Sequence, residues 1–552
     1  MNRRPVILIA LLFLVYISCV PLEAQSTEES GTIYVKVDGS IDPPTAPIST
    51  VDNVTYVFTA DIDNHSVCVQ RNNITIDGTG HLLQGSHVNF SYGVCLSNVT
   101  NVTVENTRIE AFSYGIFVDS GSNHEICGNN IANTVDAIFL QSSSNDSISG
   151  NNIATNSGWG VVFFDSHNET LTRNNITGNH DGVWLAPSSN DEISENNIAN
   201  NTGDGIALHS VYYNGTFNSS SSNNINRNDI KYNGVDGIKL LANSNHNTIS
   251  ANNLIENQLA IEVNYSTHNT IYNNNFMSNT KQVLCNSSLN TWDNGYPFGG
   301  NHWSNYNGTD DNDDGLGDMQ YFIDAGNIDN YPLMGMFYEF NITYFTPALV
   351  SHDCDVDVIS NSSVSDFAAP IWIEHPEVIF LEFNVTGAND STGFCRISFP
   401  TAMINGTYHV FVNGTEVQYT LLPCSDTTNS YLYFDYELST KDTLKDLADI
   451  NKDGIVDMLD AAILSWSLGT RPGDPRWNPE ADLNNDGVID NLDIALLKSV
   501  FFQRTDIAEY QVIIIPEFPS FLTLSLFMIA TLLAGILYKT RRAKFSKATS
   551  VS

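Results

Sequence analysis

The residues with the most definite chemistry form two acidic loops near the end of the chain, Asp449–Asp460 and Asp482–Asp493. In both loops, Asp or Asn stands at positions 1, 3, 5, 9 and 12, and Gly stands at position 6. Side-chain oxygens at these positions, together with the position-7 carbonyl, suit a hard cation, and the glycine permits the sharp turn. The spacing therefore predicts two calcium sites.

Each loop leads into an apolar-periodic segment that predicts a helix, Ala461–Leu468 after the first loop and Ile494–Val500 after the second. Neither loop is clearly preceded by a helix, and Asp rather than Glu fills position 12. This duplicated loop-then-helix pattern resembles a dockerin rather than a pair of EF-hands. The resemblance implies that calcium is bound by the side chains of Asp449, Asn451, Asp453, Asp457, Asp460, Asp482, Asn484, Asp486, Asp490 and Asp493 and by the carbonyls of Ile455 and Val488.

The resemblance also implies a partner, because dockerins bind cohesins through loop positions 10 and 11 and the following helix. Here those positions hold Met458-Leu459 and Asn491-Leu492, which lack the Ser-Thr pair of well-known cellulosomal dockerins. Two hypotheses stay open. The module binds a cohesin-like protein, or it is an intramolecular calcium clasp that stiffens the domain beside it.

The elements upstream of these loops show a clear internal repeat. An Asn-Asn pair followed by an apolar residue recurs about every 22 residues. In phase with it runs a Gly or Ala followed by alternating apolar residues, as in Gly115–Val118. One such turn cannot bury its apolar face, but stacked turns bury a continuous core, and Asn tolerates the left-handed corners. We therefore predict a right-handed parallel β-helix over 61–334, with Ile116 and Val118 inside, Phe117 outside and an insertion at Ser210–Ser222.

The closing part of this region carries a second resemblance. The segments Asn290–Tyr306 and Asn327–Met334 resemble the end of archaeal NosD-like and carbohydrate-binding/sugar-hydrolase β-helix proteins. We do not carry copper over from NosD, because the histidines are scattered without repeated ligand spacing. Between the segments lies an incomplete calcium loop, which is either a weaker metal site or a plain acidic turn. Its candidate ligands are Asp310, Asn312, Asp314 and Asp318.

Catalysis on this fold would need clustered carboxylates on an outer face. Four acidic residues precede the inward apolar pair of successive turns and could form a vertical line: Asp136, Asp181, Asp204 and Asp236. We interpret them as corner residues and name no catalytic residue, so enzymatic activity stays open. Aromatic residues on the outside could stack on a glycan or simply cover a sheet: Phe117, Trp159, Trp184 and Tyr232.

The remaining segments predict export and membrane attachment. A basic start, an apolar run and Ala24 indicate a signal peptide, and the uncharged run Phe518–Tyr538 followed by basic residues indicates a membrane span with its C-terminus in the cytoplasm. Pro516-Glu517-Phe518 resembles an archaeal sorting tail, which implies processing by a sortase-like enzyme. Scattered Asn-X-Ser/Thr sequons fit an exported glycoprotein.

Short alternating runs after the repeats predict a β-sandwich, with candidate disulfides Cys68–Cys95 and Cys395–Cys424. The expected domains are a signal peptide at 1–24, a cap region at 25–60, the β-helix at 61–334, a sandwich at 335–440 with its last strand at 508–515, the inserted dockerin-like domain at 441–507, the motif and membrane helix at 516–540 and a basic tail at 541–552.

The composition narrows the functional classes. The formal net charge is -39 although only 15% of residues are charged, which argues against nucleic-acid binding, since phosphates must be neutralised by Lys and Arg. We expect a mainly β, calcium-containing protein anchored at the cell surface that binds a polysaccharide or a protein partner. The alternative is an extracellular polysaccharide lyase or glycoside hydrolase acting on the outer face of the β-helix.

Overall fold

The computed structural model describes residues 31–87, 90–213, 216–345, 351–369, 371–372, 375–404, 407–413, 415–438, 447–484, 486–499 and 507–516. These residues fall into two compact units. The first ends at Leu333, and the second contains the short loop Asn312–Gly315 and everything from Met334 onwards.

The first unit is a parallel β-helix with three sheets. In the described part of the chain, sheet A has twelve strands, in the order Ile41–Asp42, Thr32–Val35, Ser66–Val69, Tyr92–Ser97, Tyr114–Asp119, Asp136–Gln141, Trp159–Phe164, Asp181–Ala186, Ile206–Leu208, Asp236–Leu241, Leu259–Asn264 and Lys281–Asn286. Its strands pair in parallel except for the first, Ile41–Asp42, which pairs antiparallel with Thr32–Val35. Each successive strand adds one turn to the stack.

Sheets B and C close each turn. Sheet B contains Ile48–Ser49, Thr55–Phe58, Ile74–Asp77, Val102–Glu105, Glu125–Cys127, Ser147–Ser149, Thr170–Thr172, Glu192–Ser194, Asn224–Asn226, Thr248–Ser250 and Thr270–Tyr272. Sheet C contains Ile62–Asp63, Leu82–Gln84, Arg108–Glu110, Asn130–Ala132, Asn152–Ala154, Asn175–Thr177, Asn197–Ala199, Asp229–Lys231, Asn253–Ile255, Asn275–Met277 and His302–Trp303. The inserted residues form a hairpin, Ser210–Tyr213 with Thr216–Ser219.

The side chains of each strand alternate between the core and the outside. Ile116 and Val118 are fully buried, whereas Phe117 is half-buried on the outer face of sheet A. In-register pairing places Ile116 between Val94 and Ile138, so like residues stack on like. The predicted inward and outward positions are confirmed, and the stacked apolar residues form one continuous core.

Buried asparagines explain the repeated Asn-Asn motif. At the corner between sheets B and C, the Asn151 side chain accepts a hydrogen bond from the Asn129 backbone N–H (2.9 Å) and donates one to the Ile126 carbonyl (2.8 Å). The pattern continues at Asn174, Asn196, Asn228, Asn252, Asn274 and Asn301. Each amide both accepts and donates, so the polar groups at the corner are satisfied without water.

The ladder between sheets A and B starts with different residue types. His124, Asp146, Glu169 and Asp191 occupy the places that Asn223 and Asn247 hold further along. Each carboxylate still accepts the N–H of the preceding turn, but it lacks the amide donor of asparagine. Oε1 of Glu169 and Oδ2 of Asp191 are buried without a hydrogen-bond partner.

Two tryptophans close the end of the β-helix. The Trp292 indole donates to Oδ1 of Asn327 (3.1 Å), and the Trp303 indole donates to Oδ2 of Asp329 (2.8 Å). Oδ1 of Asn327 also accepts the Asn290 backbone N–H, and Oδ2 of Asp329 also accepts the Asn301 backbone N–H. Each of these two oxygens therefore ends a corner ladder. The hairpin that carries Asn327 and Asp329 consists of Tyr321–Asp324 and Asn327–Asp329.

The second unit contains two five-stranded antiparallel sheets. One has the order Met336–Phe345, Ser351–Ser360, Ser391–Pro400, Asn429–Leu438 and Thr420–Leu421. The other has the order Ser363–Ala368, Leu381–Ala388, Ile507–Pro516, Tyr408–Val412 and Thr415–Val417. A short pair, Ile371–Trp372 and His375–Ile379, lies beside them. Strand Ile507–Pro516, which follows the two acidic loops in the sequence, pairs with strands on both of its sides.

Between Asn429–Leu438 and Ile507–Pro516 in the sequence lies a small helical module. It contains helix α1 (Met458–Ser467), the 3-10 helix Pro479–Ala481 and helix α2 (Asn491–Ser499). Its core is made of Ala448, Ile450, Val456, Leu464, Ala481, Leu483, Ile489 and Leu497. Asp457 caps α1, and the Asp460 side chain accepts the Asp457 N–H in return.

The predicted signal peptide at 1–24, the membrane span at 518–538 and the basic tail at 541–552 lie outside the described residues. Within the described ranges, no helix is long and apolar enough to cross a bilayer.

Candidate functional site

The outer face of sheet A carries a column of aromatic side chains. Tyr92 and Tyr114 stack with ring centroids 5.6 Å apart, and Phe117 contacts both Tyr92 (4.8 Å) and Phe139 (5.8 Å). Trp159, on the strand after Phe139, packs with Phe139 against the apolar cluster of Val162, Trp184, Ala186 and Ala207. The aromatic surface therefore runs across successive turns, along the axis of the β-helix.

The column ends beneath the inserted hairpin. Trp159 and Trp184 stack with centroids 5.3 Å apart, and His209 lies 5.4 Å beyond Trp184. Trp184 is only 5% exposed, because Val211 of the hairpin packs against the same cluster. Tyr232 follows a strand of sheet C and is 47% exposed. It does not belong to the column.

Beside Trp159 and Trp184, one lysine forms ion pairs with three carboxylates. The Lys239 ammonium lies 2.7 Å from Asp236, 3.4 Å from Asp204 and 3.1 Å from Glu262. Because one oxygen of each carboxyl group contacts the same nitrogen, no two of these oxygens are farther apart than roughly 6.5 Å. This is the lower limit of the separation between the two catalytic carboxyl groups in inverting glycosidases. Burial opposes the charge of Lys239, but the hydrogen bond to Asp236 and the nearby carboxylates raise its pKa above the usual range.

The four predicted corner carboxylates do form a line. Oδ1 of Asp136 accepts the Trp159 N–H (3.0 Å), Asp181 accepts the Asp204 N–H (2.7 Å), and Asp204 accepts the Asp236 N–H (3.0 Å). The line therefore has a structural role. Burial raises the pKa of Asp136 to about 6 and that of Asp236 to about 7.

No role was predicted from the sequence for three residues in or beside this cluster: Lys239, Glu262 and His209. Lys239 and Glu262 stand at neighbouring outward positions in register, so aligning the motifs turn by turn would have found them. His209 directly precedes the inserted hairpin, so the repeating motif could not predict its position. Burial lowers its pKa to about 4, which keeps its ring neutral beside Trp184.

The two acidic loops of the helical module have matching hydrogen bonds. In the first, Asp449 accepts the N–H groups of Asp453 (3.1 Å) and Gly454 (3.0 Å). In the second, Asp482 accepts those of Asp486 (3.2 Å) and Gly487 (2.9 Å). These bonds orient the first carboxylate of each loop towards the inside of the turn, as a calcium loop requires.

The position-12 residues complete the match. Asp460 accepts the N–H groups of Asn451 and Asp457, and Asp493 accepts those of Leu483 and Asp490. Both carboxylates are fully buried. The donor set fits a calcium ion, because each loop combines buried carboxylates at positions 1 and 12 with further side-chain oxygens at positions 3, 5 and 9. Within the described ranges, however, no three His, Cys, Asp or Glu side chains converge tightly enough to form a metal cluster.

The candidate loop Asp310–Asp318 differs from these two. The Asp311 N–H donates to Asp318 (2.6 Å), and the buried Arg396 guanidinium donates to the Asp314 carbonyl (2.8 Å). A positive charge thus already lies against this loop, which reduces its attraction for a cation.

No disulfide joins any of the described cysteines. Cys68 and Cys95 are register partners on adjacent strands of sheet A. Cys395 lies in the core between the two antiparallel sheets, whereas Cys424 packs against a different cluster with Tyr431 and Tyr433. The structure therefore does not bring Cys395 and Cys424 together.

Comparison with known proteins identifies two regions. Residues 166–308 match the family of the periplasmic copper-binding protein NosD, and residues 50–190 and 92–220 match the right-handed β-helix region. Residues 447–501 match the dockerin type I domain. No match was found among curated proteins.

Several solved structures are similar to part of the chain. DFA-IIIase from Arthrobacter chlorophenolicus A6 is 14% identical over 44% of this chain and 63% of its own, with a TM-score of 0.31, so the chain spans less than two thirds of its length. A mutant of the periplasmic alginate epimerase AlgG is 18% identical over 44% and 68%, with a TM-score of 0.31. The Dettilon tailspike protein is 11% identical over 68% and 88%, with a TM-score of 0.30.

The stacked parallel strands and the family matches lead to one conclusion: the chain is a right-handed β-helix protein that carries a dockerin-like domain.

Proposed function

We propose that this chain is an extracellular, surface-anchored protein that binds a polysaccharide along the outer face of sheet A. The observation that carries the proposal is the aromatic column from Tyr92 to Trp159. Parallel strands are about 4.8 Å apart, so the column offers one apolar ring after another at a short, regular spacing. A sugar chain lying along the helix axis would meet a ring at each turn.

Export supports this function. The name of the NosD family includes a periplasmic location, and the N-terminal and C-terminal apolar runs fit a signal peptide and an anchor. The ectodomain would then face the polysaccharides outside the cell.

The dockerin-like module adds calcium-dependent binding of a cohesin-like protein partner. Apolar side chains at the expected contact positions are exposed: Met458 is 68% exposed, Leu459 59% and Leu492 54%. Calcium bound by the two loops would hold both helices in place and so present this surface. If the surface has no partner, the module still acts as a calcium clasp on the sandwich.

A glycan array with the purified protein tests the main proposal. Phe117→Ala and Trp159→Ala are expected to weaken binding of the best ligand about 3- to 10-fold each, because each removes one stacking surface. Tyr232→Ala is the matched control, since its ring is exposed on another sheet. Equal losses in all three variants, or no glycan bound, would refute the proposal.

The carboxylates around Lys239 favour a second function, cleavage of the bound polysaccharide. Asp236 has a pKa raised to about 7 by burial, so it can hold a proton at neutral pH while a neighbouring carboxylate is ionised. New reducing ends or unsaturated products from neutral, amino-sugar or uronic-acid polysaccharides would establish cleavage. Loss of these products in Asp236→Asn, with binding retained, would place the chemistry at this cluster.

A further inference from the structure

Two cysteines face each other on the outside of sheet A. Cys68 lies in strand Ser66–Val69 and Cys95 in strand Tyr92–Ser97, where they are direct register partners. Their neighbours Val67, Val69, Val94 and Leu96 point into the core. Both thiols therefore point to the same side of the sheet, one turn apart.

The two thiols already interact. A hydrogen bond with Cys68 lowers the pKa of Cys95, although burial opposes this shift. The Ser97 hydroxyl lies 3.8 Å from the Cys95 sulfur and adds a second polar contact. By contrast, burial raises the pKa of Cys127 to about 11 and that of Cys285 to about 12. Cys95 is thus the better nucleophile of the three.

We propose that Cys68 and Cys95 form a disulfide when the protein meets an oxidising environment. Adjacent parallel strands place paired Cα atoms about 4.8 Å apart, within the range of roughly 4.4–6.8 Å that disulfides span. The bridge would close one complete turn of the β-helix into a covalent ring, because the chain between the two cysteines contains the sheet B strand Ile74–Asp77 and the sheet C strand Leu82–Gln84.

The reaction is a thiol–disulfide exchange with a small-molecule or protein disulfide as the oxidant. The Cys95 thiolate attacks one sulfur of the oxidant, forms a mixed disulfide and releases one thiolate. The Cys68 thiolate then attacks the Cys95 sulfur and displaces the second. Two S–H bonds are lost, one S–S bond is formed, and the oxidant is reduced to two thiols.

The bridge would act at the end of the stack where turns are lost most easily. Each turn of a repeat protein is held mainly by its neighbours, so the terminal turns open first. A covalent ring that joins the second and third parallel strands of sheet A would resist that opening.

Oxidised glutathione applied to the folded, fully reduced protein tests the proposal. The expected result is a Cys68–Cys95 linked peptide in a non-reducing digest, two fewer alkylatable thiols and a thermal midpoint of the β-helix that is roughly 5–10 °C higher. A reductant should reverse all three changes. Cys68→Ser and Cys95→Ser should each abolish them, whereas Cys127→Ser should leave them intact.

Two results would overturn the proposal. One is separate alkylation or glutathionylation of Cys68 and Cys95 in the oxidised, folded protein. The other is a linkage of either residue to a different cysteine. If a serine variant fails to fold, the peptide map of the unaltered protein still decides, because it requires no substitution.

Discussion

The β-helix and the dockerin-like module both bury polar side chains, but they balance them differently. In the ladders, each asparagine both accepts and donates, so neutral groups satisfy one another. In the module, Asp460 and Asp493 are fully buried, and in the described part of the chain they meet backbone N–H groups and no Lys or Arg. A buried charge without a counter-ion is costly. The asparagine ladders are therefore satisfied within the β-helix, whereas we propose that a cation completes the module.

Removal of calcium should show this difference most strongly. A ligand at a thousand times its Kd stabilises the folded state by about 4 kcal/mol, and the module would lose this on addition of EDTA. Hydrogen exchange followed by mass spectrometry should show helices α1 and α2 exchanging up to about 1000-fold faster, with sheet A unchanged. Asp460→Ala should reproduce the effect in the presence of calcium. Equal exchange with and without calcium would contradict the comparison.

A substitution within the ladder should have the next largest effect. Asn196→Ala leaves the Asn174 N–H and the Leu171 carbonyl without their partner, which is expected to cost about 2–4 kcal/mol. Asn197→Ala is the matched control on the outer face, where the loss should be below about 1 kcal/mol. Denaturant unfolding of both variants measures the difference. Similar losses of stability in both variants would mean that the asparagine ladder does not stabilise the corner between sheets B and C.

The carboxyl segment of the ladder between sheets A and B should make the β-helix sensitive to pH. Burial, and then the charges of Asp146 and Asp191, raise the pKa of Glu169 to about 9. Below its ordinary pKa of 4.5, the carboxyl is neutral in both states. As the pH rises towards 9, the unfolded chain ionises and the buried group does not, so stability falls and then levels off.

Glu169→Gln should raise the stability at pH 8 by about 1–3 kcal/mol, because the amide supplies both a donor and an acceptor at that place. It should also flatten the dependence of the unfolding midpoint on pH between 5 and 9. The exposed Glu256→Gln is the control and should change neither. An unchanged pH dependence in Glu169→Gln would show that the buried carboxyl is already ionised in the folded protein.

The smallest effect is expected at the loop Asp310–Asp318, where Arg396 already contributes a positive charge. Isothermal titration should show two tight calcium ions per chain, with any third ion bound at least about 100-fold more weakly. Asp310→Asn should leave the two tight ions unaffected. A third tight ion that Asp310→Asn abolishes would show that this loop is equivalent to the other two.

The repeat predicted the β-helix well, because its core positions obey simple alternation. Ile116, Val118 and the corner asparagines could be assigned from spacing alone, and the two acidic loops could be located in the same way. The Lys239 cluster was harder to find, since its members come from separate turns and only register brings them together. The separation of Cys395 from Cys424 could not be derived either, because the side of the strand on which Cys424 packs depends on the fold of a sandwich without a repeat.

The position of strand Ile507–Pro516 has a consequence for the order of synthesis. It lies between Leu381–Ala388 and Tyr408–Val412 in its sheet, yet the ribosome makes it only after the whole dockerin-like module. Until then, the two flanking strands have no partner for their facing edges. The nascent sandwich therefore has unpaired strand edges, which are prone to aggregation, until this last strand is made. Any delay in making or folding the module prolongs the time during which those edges are exposed.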